Sequence, residues 1–162
     1  MASGDTLAIF GPLQNEPPAA NYATFDTRNT TSPHPVLDFD QTTAESALFS
    51  SILPRNYAGG GITAYVHWTA DPVAGTVGWT VEFERMNTDL DADSFAAAQT
   101  ITAATVNGTS GIITVTNVAV ANGAAMDSIA VGEAFRVRLT RDVGNDNAAG
   151  DANFVAMELK ET

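Results

Sequence analysis

The chain has 162 residues, a one-domain length that buries roughly 70% of the surface the unfolded chain exposes. Nineteen acidic residues against seven basic ones give a net charge of −12, with Lys160 the only lysine, which excludes nucleic acid and anionic membrane surfaces as partners. Cysteine is absent, so disulfides and thiolate metal sites are excluded too.

Charged residues make up only 16% of the chain, against about 25% in an ordinary globular domain, so Thr, Ser, Asn and Ala must form much of the surface. Residues 1–35 differ from the rest, because Pro12, Pro17, Pro18, Pro33 and Pro35 are five of the seven prolines. Proline removes hydrogen-bond donors and fixes φ, which favours extended segments over central strands. No basic segment with a long apolar core opens the chain, so no export leader is expected there, and no apolar run approaches the ~20 residues of a membrane span. Leu7, Ile9, Phe10, Leu13, Tyr22 and Phe25 are nevertheless too apolar for a free linker. The segment is expected to be an extended arm over 1–35, with a short strand at Thr6–Phe10, followed by a β domain over 36–162.

Beyond residue 35 the apolar pattern has a period of two. Ile62, Ala64, Val66 and Trp68 share one face of a strand, as do Val77, Trp79, Val81 and Phe83, and then Phe135, Val137 and Leu139. Weaker strands are expected at Val36–Asp40, Ser46–Leu53, Phe95–Val106, Ile112–Val120 and Ala152–Lys160, with short helical turns at Asp93–Gln99 and Met126–Val131. The apolar phase slips between Val115 and Val118, which predicts a bulge near Thr116–Asn117. Gly59-Gly60-Gly61, Asp71-Pro72, Asn107-Gly108 and Asn122-Gly123 supply the turns. Eight such strands predict an all-β chain, a two-sheet antiparallel β-sandwich of jelly-roll type. In that topology the fourth and seventh strands are neighbours, so Glu82 and Glu84 on the outward face of one meet Arg136 and Arg138 on the outward face of the other.

The residues offer little catalytic chemistry. His34 and His67 stand too far apart for a cupin-type metal cluster. Asp89, Asp91 and Asp93 open like a calcium loop, but Ser94 and Thr100 occupy the positions where an EF-hand needs Gly and Glu. The pairs Glu82/Glu84 and Asp38/Asp40 have a spacing tolerable for glycoside hydrolysis but no desolvation to raise one pKa, and no serine elbow is present. Trp68 and Trp79 fall on the apolar face and read as core, whereas Tyr65 points outward as a lone candidate for sugar stacking. No catalytic residue, metal ligand or cofactor site is expected.

The stretches Asn15-Glu16-Pro17-Pro18-Ala19, Ala23-Thr24-Phe25-Asp26-Thr27-Arg28-Asn29, His34-Pro35-Val36-Leu37-Asp38-Phe39-Asp40 and Leu53-Pro54-Arg55-Asn56-Tyr57-Ala58-Gly59-Gly60-Gly61 form a recognisable set. With Ile62–Trp68 and Phe83-Glu84-Arg85, they resemble small jelly-roll virion proteins of tailed bacteriophages, of the head decoration or cement type. The resemblance implies a non-enzymatic protein on the capsid exterior, assembled in the host cytoplasm, binding the major capsid protein as a homo-trimer. The arm residues Leu7, Ile9, Phe10, Leu13, Tyr22 and Phe25 would then make the capsid or subunit contacts. The alternative is a receptor- or carbohydrate-binding jelly-roll module associated with a tail fibre.

Overall fold

A computed structural model of the chain describes residues 3–86 and 89–162. Ten strands run in order: β1 (Thr6–Phe10), β2 (Thr24–Arg28), β3 (His34–Phe39), β4 (Ser46–Ile52), β5 (Ile62–Ala70), β6 (Thr76–Arg85), β7 (Gln99–Thr105), β8 (Thr114–Val120), β9 (Ala134–Arg141) and β10 (Ala152–Glu161). They form two antiparallel sheets. Sheet A has the order β2-β3-β10-β5-β8, with β1 also paired to β10, and sheet B has the order β4-β9-β6-β7. Leaving out β1 and β2, the eight strands foreseen from the pattern fall into two four-stranded sheets, β3-β10-β5-β8 and β4-β9-β6-β7, the arrangement of a jelly roll. Among the described residues there is no α-helix: Asp93–Gln99 is loop and strand start, and a 3-10 turn at Ala124–Met126 precedes the second expected helical turn.

The core lies where the period-two pattern puts it. Val66, Trp68, Val77, Trp79, Val81, Phe83, Phe135, Val137 and Leu139 are all buried between the sheets. Trp68 and Trp79 tilt against each other at 6.3 Å, and Phe39 meets Trp79 edge-on at 4.9 Å, so neither indole forms a surface platform. β6 pairs with β9 as neighbours, as expected, in a register that sets Glu82 opposite Arg138 and Glu84 opposite Arg136. Arg138 grips Glu82 through two bonds of 2.6 and 2.7 Å, and Arg136 pairs with Glu84. The loop before β7 then folds back, Ala96 N–H donating to Phe83 O at 2.8 Å, and lays Phe95 over Arg138 at 4.3 Å. That cover buries Glu84, which the strand pattern alone places in solvent.

Two expectations are corrected. β8 pairs with β5 from Ile62–Val120 to Trp68–Thr114 without a bulge. Thr116 faces inward and accepts a hydrogen bond from the Trp68 indole N–H at 3.1 Å, while Val115 stays outside. The phase slip is therefore a real change of face, made tolerable by one buried polar partner. The second correction concerns the segment expected as an arm over 1–35, which contributes two strands to sheet A. β10 is ten residues long and offers one edge to two partners, β3 along Ala152–Phe154 and β1 along Met157–Lys160. The short strand expected at Thr6–Phe10 forms with those bounds, and a register shift between Thr6 and Ala8 turns both Leu7 and Phe10 inward, so it belongs to the sheet and not to an arm. Phe10 stacks on Phe49 of sheet B at 5.2 Å. Between β1 and β2 the Pro-rich stretch crosses to sheet B and covers the edge of β4. Glu16 N–H donates to Leu48 O at 2.8 Å, Leu48 N–H to Asn15 Oδ1 at 3.1 Å, and Ala23 N–H to Ser46 O at 3.0 Å. An edge strand so capped cannot recruit another chain.

Candidate functional site: a cleft on the outer face of sheet A

Strand alternation sends His34, Val36 and Asp38 of β3, Asn153 of β10, and Tyr65, His67 and Thr69 of β5 to the outer face of sheet A. Most of that face is open, but at the end carrying Thr69 two loops rise around it. One follows β2, where Asn29 takes a left-handed backbone at φ 69° and its Oδ1 accepts from Thr31 N–H at 3.0 Å. The other precedes β8, where Ser110 Oγ and Gly111 N–H both donate to Ala70 O, at 3.3 and 3.4 Å. Between the loops is a cleft of about 480 Å³ whose lining includes Arg28, Asn29, His34, Val36, Thr69 and Ile113. That volume lies within the usual range for a small-molecule site. The walls are mostly apolar, and Val36 is buried at only 2% exposure despite facing outward.

Arg28 forms the polar wall. Its Nη1 donates to Asp71 Oδ1 at 2.6 Å and to Asn153 Oδ1, and its Nη2 donates to Ser110 Oγ at 2.9 Å. Gly111, at φ +86°, keeps that wall accessible, because a Cβ there would stand 3.5 Å from Nη2 and 4.0 Å from Nε. Behind Arg28, Asn153 Nδ2 donates to Asp38 Oδ1, and Asp38 is hydrogen-bonded to Asp26. Burial first, and then the charges of Asp26, Asp151 and Asp71, raise the Asp38 carboxyl from an ordinary 3.8 to about 6. Thr69 is 3% exposed, and its hydroxyl has no hydrogen-bond partner among the described residues. A buried hydroxyl without a partner carries a desolvation cost of about 1–3 kcal/mol, so its presence in a cleft needs an explanation.

The structure separates the other residues singled out in the sequence. His34 lines the cleft, while His67 and Tyr65 sit further along the outer face, outside its lining. No group of three or more His, Asp or Glu side chains is arranged to hold a metal among the described residues. Of the six apolar residues assigned to contacts, Leu7 and Phe10 belong to the chain's own core, because β1 is a strand of sheet A. Ile9, Leu13, Tyr22 and Phe25 are exposed, and the last three border a shallow groove of about 310 Å³ beside Pro12 and Pro17. Arg28, Thr69 and Gly111 escaped the sequence reading, since they come from three separated segments with no shared pattern. Arg141 also escaped, although parity reveals it: it continues the inward series Phe135, Val137, Leu139. Fully buried, it pairs with Asp146 at 2.8 Å and donates to the carbonyls of Phe39, Ala148 and Gly150.

This architecture is shared with solved carbohydrate-binding modules. The carbohydrate-binding module CBM35 of Cellvibrio japonicus Abf62 superposes with a TM-score of 0.57 at 10% identity, covering 95% of this chain and 92% of that one. The family 30 carbohydrate-binding module of the cellulosomal cellulase Cel9D-Cel44B of Clostridium thermocellum gives 0.50 at 9% identity, with 98% and 93% covered. The isomalto-dextranase of Arthrobacter globiformis T6, solved with panose, gives 0.55 at 13% identity over 98% of this chain, which spans 22% of that enzyme's length. At such identities the likeness is one of fold. No protein-family model matches the chain, and no curated protein matches it significantly.

Proposed function

We propose that this chain is a non-catalytic glycan-binding jelly-roll module whose ligand seats in the outer-face cleft of sheet A. The observation that carries the reading is Thr69, a lining residue whose deeply buried hydroxyl has no partner among the described residues. A sugar hydroxyl is both donor and acceptor and matches such a group, with Arg28, Asn29 and His34 as further polar contacts and Val36 and Ile113 against the apolar ring faces. The fold shared with carbohydrate-binding modules is consistent with this use of the scaffold. The resemblance to phage virion proteins gives the module a setting at a tail fibre, where a receptor glycan is met. The test is a glycan array followed by titration of the best ligand. Thr69→Val, which keeps the shape and removes the hydroxyl, should weaken binding about tenfold. An array with no retained glycan, or a Thr69→Val protein that binds as well as the parent, rejects the reading.

A second reading is favoured by the exposed groove of Leu13, Tyr22 and Phe25, an apolar surface of the kind that joins subunits. It makes the chain a head decoration protein bound to the major capsid protein. Copy number in purified particles separates the two settings: a coat of copies over the head supports decoration, and a few copies at the tail support the fibre.

A further inference from the structure

The cleft's lining is rich in hydrogen-bond donors and contains a guanidinium group, which at first sight suits a carboxylate-bearing sugar. Two observations argue the opposite. The charge of Arg28 is already compensated: Nη1 lies 2.6 Å from Asp71 and also binds Asn153, and Nη2 is held by Ser110. Behind Arg28, moreover, carboxylates outnumber cations. A shallow recess of about 240 Å³ shares Arg28 and Asn29 with the cleft and is bordered by Asp26, Asp38 and Asp71. Among the described residues Arg28 is the only arginine or lysine lining either hollow, and even with a proton shared between Asp26 and Asp38 the recess keeps net negative charge. The Asp38 carboxyl is displaced upward first by burial and then by the charges of Asp26, Asp151 and Asp71, in keeping with that excess of carboxylates.

Resting on the glycan reading, we propose that the cleft selects uncharged glycans and rejects chains bearing a uronate or sialate, with Asp26, Asp38 and Asp71 as the specificity-determining residues. A neutral hydroxyl exchanges hydrogen bonds with Arg28 and Thr69 at no electrostatic cost. A carboxylate at the same place gains little from a guanidinium that Asp71 already neutralises and loses against Asp26 and Asp38 just behind it, which form no ion pair among the described residues, on a protein of net charge −12. Discrimination against the wrong ligand thus comes from repulsion and requires no contact with the acidic group.

The experiment applies the full chain to an array in which each neutral oligosaccharide stands beside the same oligosaccharide carrying a uronate or a sialate. The neutral member should bind about tenfold more tightly at low ionic strength, and the gap should narrow to about twofold in roughly 0.5 M NaCl, where the Debye length falls to a few ångströms. The double variant Asp26→Asn/Asp38→Asn, its fold checked by thermal midpoint, should narrow the gap without added salt. Equal binding of the two members, a preference for the acidic one, or an undiminished gap in the double variant overturns the selectivity and leaves the glycan reading standing. Retention of no glycan at all overturns the glycan reading, and the selectivity with it.

Discussion

On the outer face of sheet B, Glu82 and Glu84 meet Arg138 and Arg136 across neighbouring strands, and Phe95 lies over both guanidinium groups. On the outer face of sheet A, Thr69 is buried about as deeply as Glu84, yet its hydroxyl has no partner among the described residues. One face has closed its own hydrogen bonds and roofed them with an aromatic ring. The other holds an unsatisfied group at the floor of a cleft, with an arginine fixed beside it. A surface that satisfies its own polar groups gains little from a ligand, whereas one carrying an open desolvation cost gains when a ligand supplies the missing bond.

The largest effect that bears on this contrast lies in β9, the strand that carries Arg136, Arg138 and Arg141. Arg141→Ala removes one member of a fully buried ion pair and leaves Asp146, itself buried, together with three carbonyls, without their donor. The expected loss is about 3–5 kcal/mol, seen as a fall in the denaturant midpoint. Glu84→Ala should cost less, about 1.5–3 kcal/mol, because Arg136 is a third exposed and can turn to water. A loss below about 0.5 kcal/mol would mean that the outer face of sheet B is no better satisfied than that of sheet A.

Asp38→Asn should act in the opposite direction. The folded-state pKa of about 6 lies above the ordinary 3.8, so the folded protein binds the proton more tightly and loses stability as pH rises between those values. Asparagine removes the charge and still presents an oxygen to Asn153 and an N–H to Asp26. Because Asp38 is only half-buried, the gain is discounted for screening to about 1 kcal/mol at pH 7.5, roughly 2–4 °C in Tm. It should vanish below about pH 3, where Asp38 is largely protonated in both states, and a gain that persists there would contradict the linkage. The smallest effect is on stability in Thr69→Val. Deleting a hydroxyl that has no partner should raise stability by about 0.5–1 kcal/mol even as glycan binding falls. A destabilised Thr69→Val protein would show that the hydroxyl has a structural partner after all.

Both the sandwich and its charge ladder were legible in the sequence. Alternation is strict in β5, β6 and β9, and period two admits few ways of burying Trp68, Trp79 and Phe135 together. That Glu82 and Glu84 meet Arg136 and Arg138 followed from strand order and parity, while the register that pairs Glu82 with Arg138 came from the structure. Parity also carried enough information to place Arg141 inside, and a search of the following loop for a carboxylate would have met Asp146. In the first 35 residues the strand Thr6–Phe10 was legible, but not its place in sheet A, nor β2, because the register shift in β1 breaks the alternation and proline disguises a segment that caps an edge.

What the sequence by itself determined is therefore the repeated local rule: which residues of each strand face inward, where turns fall, and that the chain is acidic and all-β. These depend on neighbours two residues apart, and the chain carries them wherever it goes. Only the tertiary structure decided that β1 and β3 share one edge of β10, that Phe95 roofs the ion pairs, and that Arg28, His34, Thr69 and Gly111 meet around one cleft. The physical reason is sequence distance: Arg28 and Asn153 are 125 positions apart, and no local propensity links them. Their contact exists because β2, β3, β10 and β5 lie side by side, and that order is fixed by burying both faces of one core at once.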